Sequence, residues 1–263
     1  TAPFRSWQRP RGGACWSPSA PPPRAHAGDG EGPVARRALK VLFLSADTGG
    51  GHRASAESLA KQFQLHFPGT TYDLLDVWSE CGVLPYRKLV PAYKHLSAHP
   101  RQWGALYHLS NNYLYEFAMD LHTALTCTRR IREQLLAHGP DVVVSVHPTM
   151  NYLPLHIYEA VARERHEERV PFFTVVTDLG AGHCTWFQPG VDRMYVGSDA
   201  IVKLAQRRGG VSRANMRELG LPIRHGFAVQ AEALGDRRSA GGLAHQRGVR
   251  RELGLAEDDG VVL

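Results

Sequence analysis

Residues 39–67 read LKVLFLSADTGGGHRASAESLAKQFQLHF, and this stretch decides the fold. Residues 39–46 are mostly apolar and of strand length, the pattern of a parallel strand buried on both faces. Gly49, Gly50 and Gly51 follow, and without Cβ atoms they let a ligand approach the backbone closely. Beyond them Ala56, Leu59, Ala60, Phe63 and Phe67 recur at the spacing of one helix face. Strand, glycine turn and helix in that order aim free N–H groups and a positive helix end at the edge of a sheet. The spacing is not G-x-G-x-x-G, and no Lys-Ser/Thr follows the glycines as in a P-loop. His52 opens the helix. A neutral imidazole there can take a proton from a substrate hydroxyl, or it can simply cap and pack the helix end.

The alternation continues along the chain. Residues 71–77 read as a second strand, residues 113–137 as a long amphipathic helix with Leu114, Phe117, Ala118, Leu121 and Leu125 on one face, and residues 141–146 as a third strand. A helix over 151–166, a strand over 171–177, a short strand over 192–196 and a helix over 200–208 complete the pattern. Strands alternating with helices predict an α/β fold, a Rossmann-like doubly wound parallel sheet with right-handed crossovers. Ligands of such sheets bind beyond the carboxyl ends of the strands. The segment from Gly49 to His52, His147, and Asp178 with His183 all follow strand ends, so they are expected to share one rim. His147-Pro148 reads equally well as a strand-end histidine held by a turn.

Two stretches interrupt the pattern. Residues 81–112 hold Pro85, Pro91 and Pro100, and set Tyr86, Tyr93, Trp103 and Tyr107 among Arg87, Lys88, Lys94 and Arg101. That mixture suits the interface of an anionic bilayer, and it also suits a helical insertion whose aromatics fill the core. Residues 228–247 are rich in Ala, Gly and Arg and read as a loop or linker, with a short helix over 250–255. The domains expected are a tail over 1–37, a Rossmann-like domain over 38–230, a linker and short helix over 231–259, and over 260–263 the start of a further buried strand.

The chain has 263 residues and a net charge of +6, which attracts anionic surfaces. No run of eighteen apolar residues spans a membrane. No nucleic-acid motif accompanies the charge, so no nucleic-acid partner is expected. Cys15, Cys81, Cys127 and Cys184 are widely spaced and read as reduced thiols. No H-E-x-x-H or similar spacing suggests a metal, and none is expected. The tail is rich in Arg and poor in acids, as a plastid transit peptide or a disordered segment would be.

Asp47-Thr48-Gly49-Gly50-Gly51-His52-Arg53-Ala54-Ser55-Ala56 resembles the signature of the monogalactosyldiacylglycerol synthases, inverting glycosyltransferases of the two-domain GT-B fold. Asp76-Val77-Trp78, Ser145-Val146-His147-Pro148 and Val176-Thr177-Asp178, running on to His183, Thr185, Trp186 and Phe187, resemble that family in the same order, as does Gly220-Leu221-Pro222-Ile223-Arg224. The resemblance implies that this chain is the N-terminal, acceptor- and membrane-binding half. It implies transfer of galactose from UDP-galactose, held by a C-terminal domain absent here, to diacylglycerol. It makes His52 the base, with Asp178 orienting or charge-stabilising it. Gly49, Gly50 and Gly51 would cradle diphosphate or admit the acceptor, with His147 and His183 on the same rim. Trp186 would lie near the acceptor lipid. Pro85 falls where the family carries a proline linked to phosphatidylglycerol sensing, so an anionic lipid is the expected activator and no further cofactor is implied. The implied location is the chloroplast envelope, peripherally bound. Gly180-Ala181-Gly182, and Cys184 where the family commonly has proline, predict a more mobile loop here. Transfer of glucose instead of galactose, or lipid docking without turnover, are the competing readings.

Overall fold

The computed structural model describes residues 37–46, 48, 50–256 and 259–260, the side chain of Tyr113 excepted. The expectations for the 1–36 tail, for Cys15, Asp47 and Gly49, and for the strand start at 261–263 lie outside the described residues.

Six parallel strands form one sheet in the order β2-β1-β3-β4-β5-β6. They are β1 (Lys40–Leu44), β2 (Thr71–Leu75), β3 (Val142–Ser145), β4 (Phe172–Val175), β5 (Arg193–Val196) and β6 (Met216–Glu218). The expected doubly wound α/β architecture is therefore present. The order reverses between β1 and β3, whose residues pair from Val41↔Val142 to Leu44↔Ser145. A crevice opens at such a switch point, where neighbouring connections leave on opposite faces.

Alternation along β1 feeds two cores. Val41 and Phe43 face α1 (Gly51–His66), packing with Ala56 and Ala60. Leu42 and Leu44 face the opposite side, with α2 (Val77–Cys81), α5 (Tyr113–His138), α6 (Tyr152–Arg165) and α7 (Asp199–Gly209). Phe43 is wholly buried and contributes about 1.5–3 kcal/mol by leaving water. Between α2 and α5 run α3 (Leu89–Ser97) and α4 (Pro100–Ser110), and after β6 come α8 (His225–Leu234) and α9 (Ala240–Glu252).

One expectation needs correction, and two features went unread. Residues 228–247 are not one loop: all but 235–239 fall in α8 and α9, with Ser239 Oγ accepting from the Gly242 amide at 3.0 Å to cap α9. Alanine favours helix, and a Cβ on Gly242 would meet the Asp236 carbonyl at 2.2 Å, so that glycine serves close packing. Met216–Glu218 went unseen as a strand because three residues, two of them charged, carry no periodic signal. The other concerns α5. Leu114, Phe117, Leu121 and Leu125 do share a face, but it lies in solvent, with 80%, 64%, 49% and 78% of each residue exposed. The core side is Thr123, Cys127, Ile131 and Leu135, offset by two residues from the exposed row. At about 100° per residue that offset turns the row nearly opposite to the core.

The core-filling reading of residues 81–112 holds for Tyr86, which packs against the core, but not for the aromatics of α3 and α4. No residue of α3 or α4 is buried. Tyr93 and Trp103 pair edge to face at 5.3 Å on the surface, beside exposed Leu106 and Leu109. Among the described residues no helix is long and apolar enough to cross a membrane. Cys81, Cys127 and Cys184 are buried free thiols.

Candidate active site

The rim is assembled from three strand ends. After β1 the chain reaches buried Thr48 and then Gly50, whose φ of 75° lies in the left-handed region that glycine tolerates. Gly50 caps α1 and Gly51 begins it. A Cβ added at either position would touch nothing within 4 Å, so open space faces the helix mouth. The first turn of α1 carries no acidic side chain, leaving its positive end uncompensated from within the helix. His52 projects from this turn.

After β3 comes His147, and after β4 come Thr177 and Asp178. His52 Nδ1 lies 2.7 Å from Thr177 Oγ1. The His52 and His147 rings meet edge to face at 4.9 Å, and the Trp186 ring lies 6.0 Å from His52. The Trp186 indole N–H donates to Asp178 Oδ2 at 2.7 Å. His52, His147, Asp178 and Trp186 thus gather at one end of the sheet, as the strand-end argument requires.

Their roles differ. His147 is buried, with Nε2 3.1 Å from Thr48 Oγ1 and Nδ1 3.1 Å from Thr149 Oγ1. With both nitrogens engaged it braces the helix mouth and the 3₁₀ turn Pro148–Met150, the turn-held histidine of the two readings. His183 is occupied too, by Thr185 Oγ1 at 2.9 Å and Ser110 Oγ at 3.1 Å. It ties the turn Cys184–Trp186 to the end of α4, while the Cys184 amide donates to Asn111 Oδ1 at 3.0 Å. The loop expected to be mobile is therefore anchored. Its Gly182 is there for packing, since a Cβ would stand 3.0 Å from the Phe187 ring. Trp186 is wholly buried, so it holds Asp178 in place and presents no face to solvent. Pro85 is exposed in the loop before Tyr86, and Tyr86 stacks on Trp78 at 4.4 Å. Trp78 donates to Thr149 Oγ1 at 2.8 Å, so a chain of contacts runs from the Pro85 loop through Tyr86 and Trp78 to the rim.

The electrostatics favour a neutral His52. Burial lowers its pKa from 6.5, and the charge of Asp178 and the Val146 carbonyl only oppose that shift. Burial takes His147 well below 6.5, with His52 adding to the effect. Burial also lowers His183, again opposed by Asp178. Such a neutral imidazole, with Nδ1 against the Thr177 hydroxyl and the Val146 carbonyl also bonding the ring, can act as a general base. Among the described residues no group of three or more His, Cys, Asp or Glu is placed to hold a metal.

The hydroxyls of Thr48, Thr149 and Thr177, which hold the two histidines, were not singled out from sequence. Thr177 sits beside Asp178 in a quoted motif, and that adjacency was the signal available. Also unseen was a cavity of about 350 Å³ lined in part by Glu116, Phe117, Asp120, Leu121, Tyr152 and Arg208. Burial, then the charge of Glu116, push the Asp120 carboxyl up to about 7. A carboxyl raised in this way holds its proton in the folded chain after the unfolded chain has lost it, so stability falls as pH rises from about 4 to about 7. Asp120→Asn is expected to raise the melting midpoint by about 2–4 °C at pH 8, on the order of 1 kcal/mol after screening, and to change nothing below about pH 4. Thermal melts of both chains at the two pH values check this.

Residues 52–223 match the family profile of monogalactosyldiacylglycerol (MGDG) synthase. The chain is 35% identical over 196 residues to monogalactosyldiacylglycerol synthase 2, chloroplastic, of Arabidopsis thaliana, covering 74% of this chain and 41% of that protein. It is 32% identical over 234 residues to synthase 1 of the same plant, covering 88% and 41%. To the chloroplastic synthase of Spinacia oleracea it is 33% identical over 220 residues, covering 83% and 39%. The aligned chain spans about two fifths of the length of these relatives.

Proposed function

We propose, from the premise that this chain belongs to the monogalactosyldiacylglycerol synthase family, that it is the acceptor-binding half of an inverting glycosyltransferase. Its reaction moves galactose from UDP-galactose to diacylglycerol. The observation that carries this reading is the half-buried His52 at the mouth of α1, its pKa lowered by burial, flanked by residues from two other strand ends.

The acceptor alcohol is a poor nucleophile until its proton is removed. His52 takes that proton through its remaining nitrogen as the oxygen attacks the sugar carbon. The bond from that carbon to the diphosphate oxygen breaks, its electron pair leaves with UDP, and configuration inverts. Asp178 supplies negative charge that steadies the imidazolium. The mouth of α1, open at Gly50 and Gly51, favours negative charge and leaves room for diphosphate oxygens or for the acceptor. UDP-galactose itself is held by a second half of the protein.

Access to a lipid acceptor fits the surface. The row on α5 is exposed, as are Leu109, Leu106 and Trp103 on α4, and Arg87, Lys88, Lys94 and Arg101 are exposed in the preceding segments. Apolar side chains beside cations suit peripheral docking on an anionic bilayer. A phosphatidylglycerol-containing chloroplast envelope is the membrane proposed, and the relatives named above are chloroplastic.

The test is to supply the full-length protein with diacylglycerol vesicles and either UDP-galactose or UDP-glucose, with and without phosphatidylglycerol. Galactose incorporation, increased by phosphatidylglycerol, is expected. Incorporation of glucose alone moves the reading to a glucosyltransferase. Vesicle binding with neither sugar incorporated reduces it to a docking module.

A further inference from the structure

We infer that Thr177 is a positioning residue for His52, and that Asp178 acts on the imidazole through space rather than by direct contact. This rests on the reading of His52 as the base. Of the two groups after β4, the hydroxyl reaches the ring: Thr177 Oγ1 is 2.7 Å from His52 Nδ1. Asp178 Oδ2 is taken up by the Trp186 indole N–H at 2.7 Å. Trp186 is wholly buried and pinned among core residues, so the carboxylate is held at a fixed place where its charge still reaches His52.

An imidazole serves as a base through one nitrogen only if the proton sits on the other. For Nε2 to take the proton, Nδ1–H must be the donor on the other side, and the Thr177 hydroxyl, which can accept as well as donate, is placed to accept from it. When Nε2 takes a proton from the acceptor alcohol, the positive ring strengthens that same Nδ1–H bond, because a charged donor bonds more strongly than a neutral one. Thr177 thus holds the ring in place and steadies the product of proton transfer. A carboxylate does both in a serine hydrolase triad. Here the two jobs are divided: the hydroxyl orients, and the remote carboxylate supplies charge. His147 closes the other side of the ring with both its nitrogens occupied, which leaves Thr177, beside the Val146 carbonyl, to hold His52.

The test joins NMR on this chain to kinetics on the full-length protein. Imidazole ¹⁵N–¹H correlation spectra at pH 7.5 are expected to show His52 as the Nδ1–H tautomer. Thr177→Val, nearly the same shape, is expected to move the population toward Nε2–H and to lower kcat by about 10- to 100-fold, less than loss of a carboxylate orienter costs in such triads. The KM for diacylglycerol stays unchanged. Thr177→Ser keeps the tautomer and restores kcat to within about threefold of the original, since it keeps the hydroxyl. An Nε2–H tautomer in the unaltered chain overturns the proposal, even if Thr177→Val fails to fold. So does an unchanged kcat in Thr177→Val, or a serine variant as slow as the valine one. Activity surviving in His52→Ala is a different failure, because it removes the base itself and leaves Thr177 nothing to position.

Discussion

Replacing His52 with alanine is expected to lower kcat of the full-length protein by about 10³-fold, within the range assigned to a positioned base. Binding to diacylglycerol vesicles is expected to persist, because His52 is no part of the exposed apolar face. The argument rests on protonation state as much as on place. Burial keeps the imidazole neutral below its ordinary 6.5, so the base is competent throughout the neutral range. In the unaltered protein turnover should stay flat from pH 8 to 7 and fall only as pH drops through the lowered His52 value, where protonation removes the acceptor nitrogen. A pH–rate profile of kcat/KM checks this, and a profile falling already between pH 8 and 7 contradicts it. In His52→Ala the residual rate should lose this acid limb.

The second large effect is expected at the membrane. Changing Leu114, Phe117, Leu121 and Leu125 together to serine should weaken binding to phosphatidylglycerol-containing vesicles by about 10²-fold, each side chain losing a fraction of the ~1.5–3 kcal/mol of full burial. Because these residues are exposed in the folded chain, the melting midpoint should hardly move. That combination distinguishes a docking face from a core face, where the same changes would unfold the protein. Changing Arg87, Lys88, Lys94 and Arg101 to alanine should also weaken binding, by about 1 kcal/mol per cation close to the surface, but only at low salt and only on anionic vesicles. Vesicle flotation at two salt concentrations separates the two contributions. Equal binding by the serine variant and the original chain would remove α5 from the membrane.

The sheet was legible in sequence because buried parallel strands are nearly unbroken apolar runs, and residues 41–44, 142–145 and 172–175 are all of that kind. The convergence of His52, His147 and Asp178 was legible for the same reason, since topology alone places strand ends on one rim. What was not legible is which way each element turns and which group takes which proton. The row at 114, 117, 121 and 125 has helical period, but period does not say whether a face meets core or water; the second row at 123, 127, 131 and 135 decided that. Hydroxyl partners escaped for a related reason. Thr48, Thr149 and Thr177 are ordinary in composition, and only the folded backbone brings Thr48 within 3.1 Å of His147, 99 residues away. Asp178, expected to orient His52 or to stabilise its charge, accepts from Trp186, because a buried indole N–H needs an acceptor and Asp178 is within reach.

The most direct test of the central claim is an NMR titration of the His52 ring in this chain. The neutral-base arrangement predicts a midpoint below 6.5, and a midpoint that falls further when Asp178 is changed to asparagine, because that carboxylate raises it. A His52 midpoint above 6.5, or one indifferent to Asp178, would contradict the arrangement of residues around the mouth of α1 on which the proposed chemistry depends.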